Sequence, residues 1–171
     1  YRAIVRSHLE NSASTWSPHK QQDIDKLKGV QMRATKILPG FKTHSYEERL
    51  VALNLTTLKY RRIRGDMINV YKIMSGKHMR SLCPNLRTKM DATGIEGRNS
   101  LALHQERCRT DVWKHYFTYR VEAVWNTLPD EVVLSKTVDE FKRKLDHAWK
   151  KEKLKFDYKE DPSLLRPSRR K

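Results

Sequence analysis

The sequence predicts a mainly α-helical protein: a bundle-like first half, then a smaller helical region with at most one short strand or hairpin. Three observations predict it. Apolar residues recur at helical spacing in several runs, capping signals bracket those runs, and two-residue alternation appears only once and weakly. With 171 residues, 37% hydrophobic and 33% charged, the chain is long enough for one domain or two small ones. Its apolar content is low for a globular protein but above that of a disordered one.

Tyr1, Ile4, Val5, His8 and Leu9 fall on one helical face, and "STWSPH" then interrupts the pattern, with Pro18 placed as a first helical residue after Ser17. Ile24, Leu27, Val30, Ala34, Ile37 and Leu38 form a stripe that stops at Pro39-Gly40. Ser45 and Glu48 have capping-box spacing for a short helix through about Leu53. Thr57 caps the next helix, which ends near Gly76 and buries Tyr60, Ile63, Met67, Val70, Tyr71 and Met74.

Residues 77–99 are polar and carry one Pro and two Gly, so they are expected to form a linker or long loop. "SLALHQER" is the candidate strand. Trp113, Phe117, Val121, Val124, Trp125 and Leu128 mark an aromatic helix ended by Pro129, with Trp113, Phe117 and Trp125 assigned to the core. Thr137 and Glu140 repeat the capping box, ahead of Val138, Phe141, Leu145, Ala148 and Trp149 on one face. The domain reading is therefore 1–76, a linker at 77–99, an aromatic region at 100–150, and a disordered basic tail at 151–171. There is no internal repeat.

Charge narrows the partner class. Lys and Arg number 36 against 20 Asp and Glu, a net charge of +16 with a pI near 10.0. Solubility does not require that much charge of one sign, and nucleic acid is the polyanion that neutralises it. Two cysteines, Cys83 and Cys108, cannot make a disulfide framework, which points to a reducing intracellular compartment. No apolar run reaches membrane-span length and no secretory leader is visible, so no membrane partner is expected. The opening residues, already helical in pattern and without Met, read as part of a longer polypeptide.

Candidate chemistry is sparse. His78-x4-Cys83 and His104-x3-Cys108 have usable zinc spacings, but neither half is Cys-x2-Cys, and surface His with half-buried Cys is the preferred reading, with no metal ligands assigned. No nucleophile elbow or phosphate-cradling glycine loop is present. Asp23 and Asp25 point apart on a helix and favour its N-terminal dipole, so the paired carboxylates of two-metal catalysis are missing. No cofactor and no catalytic residue are assigned to the chain.

The segment "YRRIRGDMINVYKIMSG", Tyr60 to Gly76, carries the strongest binding signal. Arg61, Gly65 and Lys72 share the polar side of its helix, with Arg62 and Arg64 flanking. Asp66 follows Arg62 by four and reads as a local helix pair. Gly65 costs about 1 kcal/mol relative to Ala in a helix interior, and two compensations compete: a phosphate backbone approaching closely, or crowding by another helix. Arg33 and Lys36, and the Lys/Arg-rich tail, extend the basic surface. Tyr116 and Tyr119, beside Lys114, His115 and Arg120, could stack on bases.

Six phrases in series, "YRAIVRSHLE", "WSPH", "VQMRATKIL", "SYEERLVALNLTTLKYRRIRGDMINVYKI", "CRTDVWKHYFTYRVEAVWNTLP" and "FKRKLD", resemble the segment that follows the palm in reverse transcriptases of LINE-type (non-LTR, jockey-like) retrotransposons. The likeness covers about Tyr1 to Trp149. It implies the end of the palm and the thumb in the first half, then the C-terminal region. It also implies a parent RNA-directed DNA polymerase using Mg2+, active in nucleus and cytoplasm, whose thumb grips an RNA–DNA hybrid or DNA duplex by its backbone. The catalytic Tyr-x-Asp-Asp turn of that family lies upstream, so this chain is expected to be non-catalytic and to adjoin the palm of the parent polypeptide. The family's C-terminal zinc knuckle has a spacing that the His and Cys residues do not match. Around Asn11 the family tends to carry an aromatic residue, and at Ser7 a Pro is commoner; these departures point to a degenerate or truncated copy. Outside the resemblance, a protein-interaction module whose charge serves solubility is the alternative; a small metal-dependent nuclease is the weakest reading. An apolar seam on Ile4, Val5 and Leu9 is expected to be exposed in the absence of the palm.

Overall fold

The computed structural model describes residues 5–78, 84–105, 110–150 and 153–157. These residues are mainly helical, and the one strand-like feature among them is an isolated antiparallel bridge between Thr88 and Leu103. They form two compact units: residues 5–63 together with 153–157, and the described residues of 64–150. The units part inside a helix, so the boundary expected at residue 76 does not coincide with the division observed.

The first unit contains α1 (Val5–Glu10), α2 (Ala13–Trp16), α3 (Gln21–Lys36), α4 (Tyr46–Ala52) and the first turns of α5 (Leu58–Met74). Ser12, with φ of 50°, turns the chain between α1 and α2, and the Trp16 indole closes that turn by donating to the Asn11 carbonyl at 2.6 Å. The break expected at "STWSPH" is thus shorter, and α3 starts three residues after Pro18. Asp23 lies in the first turn of α3, and Arg33 and Lys36 in its last, in keeping with the helix dipole.

The buried face of α3 differs from the apolar stripe. Ile24, Leu27, Val30 and Ala34 are half-buried, Ile37 is 77% exposed, and the fully buried positions are Gln31 and Thr35. Their partners explain this. The Tyr46 hydroxyl donates to Gln31 Oε1 at 2.8 Å, Gln31 Nε2 donates to the Thr56 carbonyl at 3.3 Å, and Arg49 Nε donates to Thr35 Oγ1 at 3.3 Å. Buried polar groups persist where they are hydrogen-bonded, and here they lock α3 to α4. Beside this network, Tyr46, Leu50 and Leu55 form an apolar cluster with Met32, Leu53 and Phe156 packed against it.

The expected capping box forms: Ser45 Oγ accepts from the Glu48 amide at 3.2 Å, and the Ser45 amide donates to Glu48 Oε2 at 2.7 Å. Hydrogen bonds from the Ser45 backbone and side chain hold the Glu48 carboxyl below its usual value. Thr57 caps α5 by accepting from the Tyr60 amide at 3.1 Å, and its hydroxyl donates to the Leu154 carbonyl at 2.8 Å. The Thr57 amide donates to the Lys155 carbonyl at 3.0 Å. Residues 153–157, read from sequence as the start of a tail, therefore belong to the first unit, with Leu154 fully buried. Residues 158–171 lie outside the described residues. Leu9 is buried, so of the expected exposed seam only half-buried Val5 retains some exposure, and Ile4 is outside the described residues.

The second unit holds the rest of α5, then α6 (Lys89–Thr93), α7 (Asp111–Lys114), α8 (Phe117–Trp125), α9 (Asp130–Val133) and α10 (Val138–Ala148). α5 ends in a Schellman motif, with Lys77 donating to the Lys72 carbonyl, Gly76 to that of Ile73, and Gly76 at φ of 67°. Tyr71 stacks on Phe141 at 4.4 Å, Phe141 lies 6.0 Å from Trp125, and Trp125, Phe141, Leu145 and Trp149 are fully buried. This aromatic stack is the core; burying each ring stabilises the fold by about 3–5 kcal/mol as judged by truncation to Ala. The Tyr71 hydroxyl donates to the Ser135 carbonyl at 2.5 Å, and burial pushes its pKa up from 10.0. Thr137 caps α10, while Glu140 accepts from the Lys136 amide at 2.9 Å; bonds from Lys144 and Lys136 hold its carboxyl low.

Within the loop expected over 77–99, the described residues from 84 onward hold one short helix, α6, in otherwise irregular chain. Thr88 caps α6, Gly94 ends it at φ of 68°, and residues 87–89 bond to residues 102–104 around the Thr88–Leu103 bridge. Buried Asn99 donates to the Trp125 and Leu128 carbonyls at 3.2 and 2.9 Å, satisfying the open C-terminal end of α8. Asn126 does the converse, bonding both backbone groups of Leu103. The helix expected from Trp113 onward breaks at His115-Tyr116, which separates α7 from α8.

Candidate nucleic-acid interface

Each residue that the sequence nominated has a specific place. In the first unit, Arg33 and Lys36 stand exposed at the C-terminal end of α3, and neither is ion-paired among the described residues. Lys42, which the sequence reading did not nominate, is exposed in the turn that follows. Its signal was visible: the polar run "FKTH" between two helices places a cation where no packing holds it. Arg61 makes a two-pronged ion pair with Glu10 of α1, its Nη2 lying 2.6 Å from Oε2. Arg6 reaches the same carboxylate at 3.0 Å. Arg62 is only 8% exposed.

In the second unit, Arg64 pairs with Asp146 of α10 through bonds of 2.6 and 2.8 Å. Arg120 pairs with Asp66 through bonds of 3.0 and 3.1 Å and also lies over the Phe117 ring. Lys72 is half-buried and Lys114 exposed. The picture of a freely offered arginine cluster is thus corrected. Arg61, Arg64 and Arg120 each spend their fork on a carboxylate; the Arg64–Asp146 and Arg120–Asp66 pairs balance in charge, whereas Arg6 and Arg61 share Glu10 and keep a surplus of one positive charge. Sequence separations of 51, 82 and 54 residues hide those partners from periodicity.

Gly65 is informative for the opposite reason. A methyl group built at its Cα would meet nothing within 4 Å beyond the helix itself. Crowding by another helix, one of the two compensations considered, is therefore not the reason for this glycine.

The aromatic residues also separate. Phe117 and Trp125 are buried, but Trp113 is 54% exposed and Tyr116 53% exposed, which corrects the assignment of Trp113 to the core. The break before α8 causes it, because α7 no longer shares the phase of the buried face. Trp113 meets Tyr116 edge-on at 5.8 Å and Tyr119 at 6.5 Å.

Among the described residues, no group of three or more His, Cys, Asp or Glu side chains could hold a metal ion, and Cys83 and Cys108 lie outside those residues. No helix among them is long and apolar enough to cross a membrane. Comparison with protein-family models, with curated proteins and with solved structures finds no match.

Proposed function

We propose that this chain is the non-catalytic C-terminal portion of a retrotransposon reverse transcriptase, and that it grips primer–template duplex through backbone phosphates. The observation that carries the proposal is Gly65: a helix-interior glycine with open space above it, in a chain of net charge +16. Open backbone on a positively charged protein admits a phosphate backbone at a distance that any side chain would forbid. The serial resemblance of the sequence to the segment after the palm supports the same reading. Each unit contacts phosphates by itself: Arg33 and Lys36, joined by Lys42, serve as cations in the first, and Lys72 and Lys114 in the second. Arg61, Arg64 and Arg120 hold the fold instead. Chemistry belongs to the upstream palm, with its Mg2+ ions.

The test is fluorescence anisotropy of the full chain with a labelled RNA–DNA hybrid across a salt series. Each phosphate contact contributes about −0.9 to the log–log slope, so Arg33→Gln and Lys36→Gln should each flatten it by about 1. Gly65→Ala should raise stability by about 0.5–1 kcal/mol and yet weaken hybrid binding. Salt-independent binding, or binding unchanged by Gly65→Ala, counts against the grip.

A further inference from the structure

Trp113, Tyr116 and Tyr119 raise a separate question. A Trp and a Tyr that each keep about half of their surface in water forgo burial that is worth about 25 cal/mol per Å². The core does not use them, since Phe117, Val121 and Trp125 fill it. They are nevertheless organised: Trp113 packs edge-on against both tyrosines, at interplanar angles of 71° and 65°. Tyr119 also lines a recess of about 80 Å³ with Asn85, Arg87, His104 and Glu122. Of these, Glu122 is buried while Asn85 and Arg87 are exposed. The recess therefore offers an acceptor, an amide and a cation next to an aromatic wall. Its volume suits the edge of one base rather than a whole nucleotide.

We propose that Trp113 and Tyr116 form a stacking platform for an unpaired nucleotide of a single strand, with the base edge directed past Tyr119 toward the recess lined by Asn85 and Glu122. The chemistry is that of single-strand recognition: base faces stack on aromatic rings, and a carboxylate and an amide meet the hydrogen-bonding edge of the base. Positive charge attracts the strand, and exposed Lys114 stands in the same turn of chain. A duplex cannot use this platform, because its base faces are already stacked. The proposal rests on the nucleic-acid reading above, but its aromatic residues are not part of the phosphate grip; only Lys114 is common to both.

The experiment measures the affinity of the full chain and its variants for a labelled single-stranded DNA of mixed sequence and, in parallel, for an RNA–DNA hybrid at fixed salt. Trp113→Ala and Tyr116→Ala should each weaken single-strand binding by about 5- to 100-fold, leave hybrid binding within about twofold, and Trp113→Phe should retain most of the affinity. Circular dichroism verifies the fold; both residues are exposed, and Tyr116→Ala carries the test if Trp113→Ala does not fold. Unchanged single-strand affinity in a folded variant overturns the platform and leaves the phosphate grip standing. Equal loss on both ligands also overturns it. A chain that binds neither ligand overturns the platform and the grip together, whereas aromatic-dependent single-strand binding without hybrid binding supports the platform alone.

Discussion

Removing the Arg120 guanidinium should destabilise the second unit through the carboxylate it leaves behind. Arg120 and Asp66 have side chains only 19% and 7% exposed, joined by two parallel bonds of 3.0 and 3.1 Å. Exposed pairs contribute about 0–1 kcal/mol, and breaking a fully buried pair costs about 3–5 kcal/mol. With Asp66 buried and the Arg120 side chain 19% exposed, Arg120→Ala should cost about 2–3 kcal/mol, between those limits. For a urea m-value of about 2 kcal/mol/M, the midpoint falls by about 1 M. Urea titration followed by tryptophan fluorescence reads the unit directly: Trp125 and Trp149 are fully buried there, while Trp16 and Trp113 are exposed and change little. The double variant Asp66→Ala/Arg120→Ala should cost less than the sum of the single variants by about 1.5 kcal/mol or more. A single-variant cost under about 0.5 kcal/mol, or strict additivity, would refute the assignment of Arg120 to the fold and return it to the candidate phosphate contacts.

Two further outcomes follow from the caps and carboxyls. Thr57→Val removes both the α5 cap and the bond to the Leu154 carbonyl, and should cost about 2 kcal/mol by thermal denaturation, with amide exchange rising at Leu154 and Lys155; unchanged exchange there would show that the segment is held by other contacts. Acid should unfold the protein in part through Glu48 and Glu140. Both carboxyls titrate below the ordinary 4.5 when folded, so their stabilisation is complete above that pH and is lost as pH falls through their folded values. Glu48→Gln keeps a capping side chain but should make the midpoint less dependent on pH between about 5 and 3; an unaltered acid limb excludes Glu48 from that role.

Local signals were legible in the sequence because their physics is local. Ser45 with Glu48, Thr57, Thr137 and Gly76 all act within five residues of themselves; Thr137 caps its helix, although Glu140 bonds the Lys136 amide instead of closing the expected box. The buried face of α3 was not legible, since Gln31 and Thr35 become interior only when Tyr46 and Arg49 arrive with matching donors. The apolar stripe beside them was real but marginal. Trp113 was misplaced because its spacing to Phe117 is helical only if the helix continues, and it does not. Thr88, Asp91 and Gly94 mark α6, but the polar run around them, with Pro84 and Gly97, resembled a loop. As for the site, the cations could be named from sequence, whereas their availability depended on carboxylates far along the chain. Gly65 gained its meaning only from the empty space around it.

The pairing of Thr57 with Leu154 and Lys155 also has a consequence in time. The first unit is discontinuous in sequence, so a ribosome must deliver residue 155 before the unit can be completed, although its α3–α4 network is synthesised early. Closing a loop of 97 residues costs about 4 kcal/mol of chain entropy if the intervening chain is unstructured, and much less if that chain has already folded. The aromatic core of Tyr71, Trp125, Phe141 and Trp149 is drawn wholly from the second unit. The order of folding is therefore expected to run against the order of synthesis, with the second unit first and the N-terminal unit sealed last.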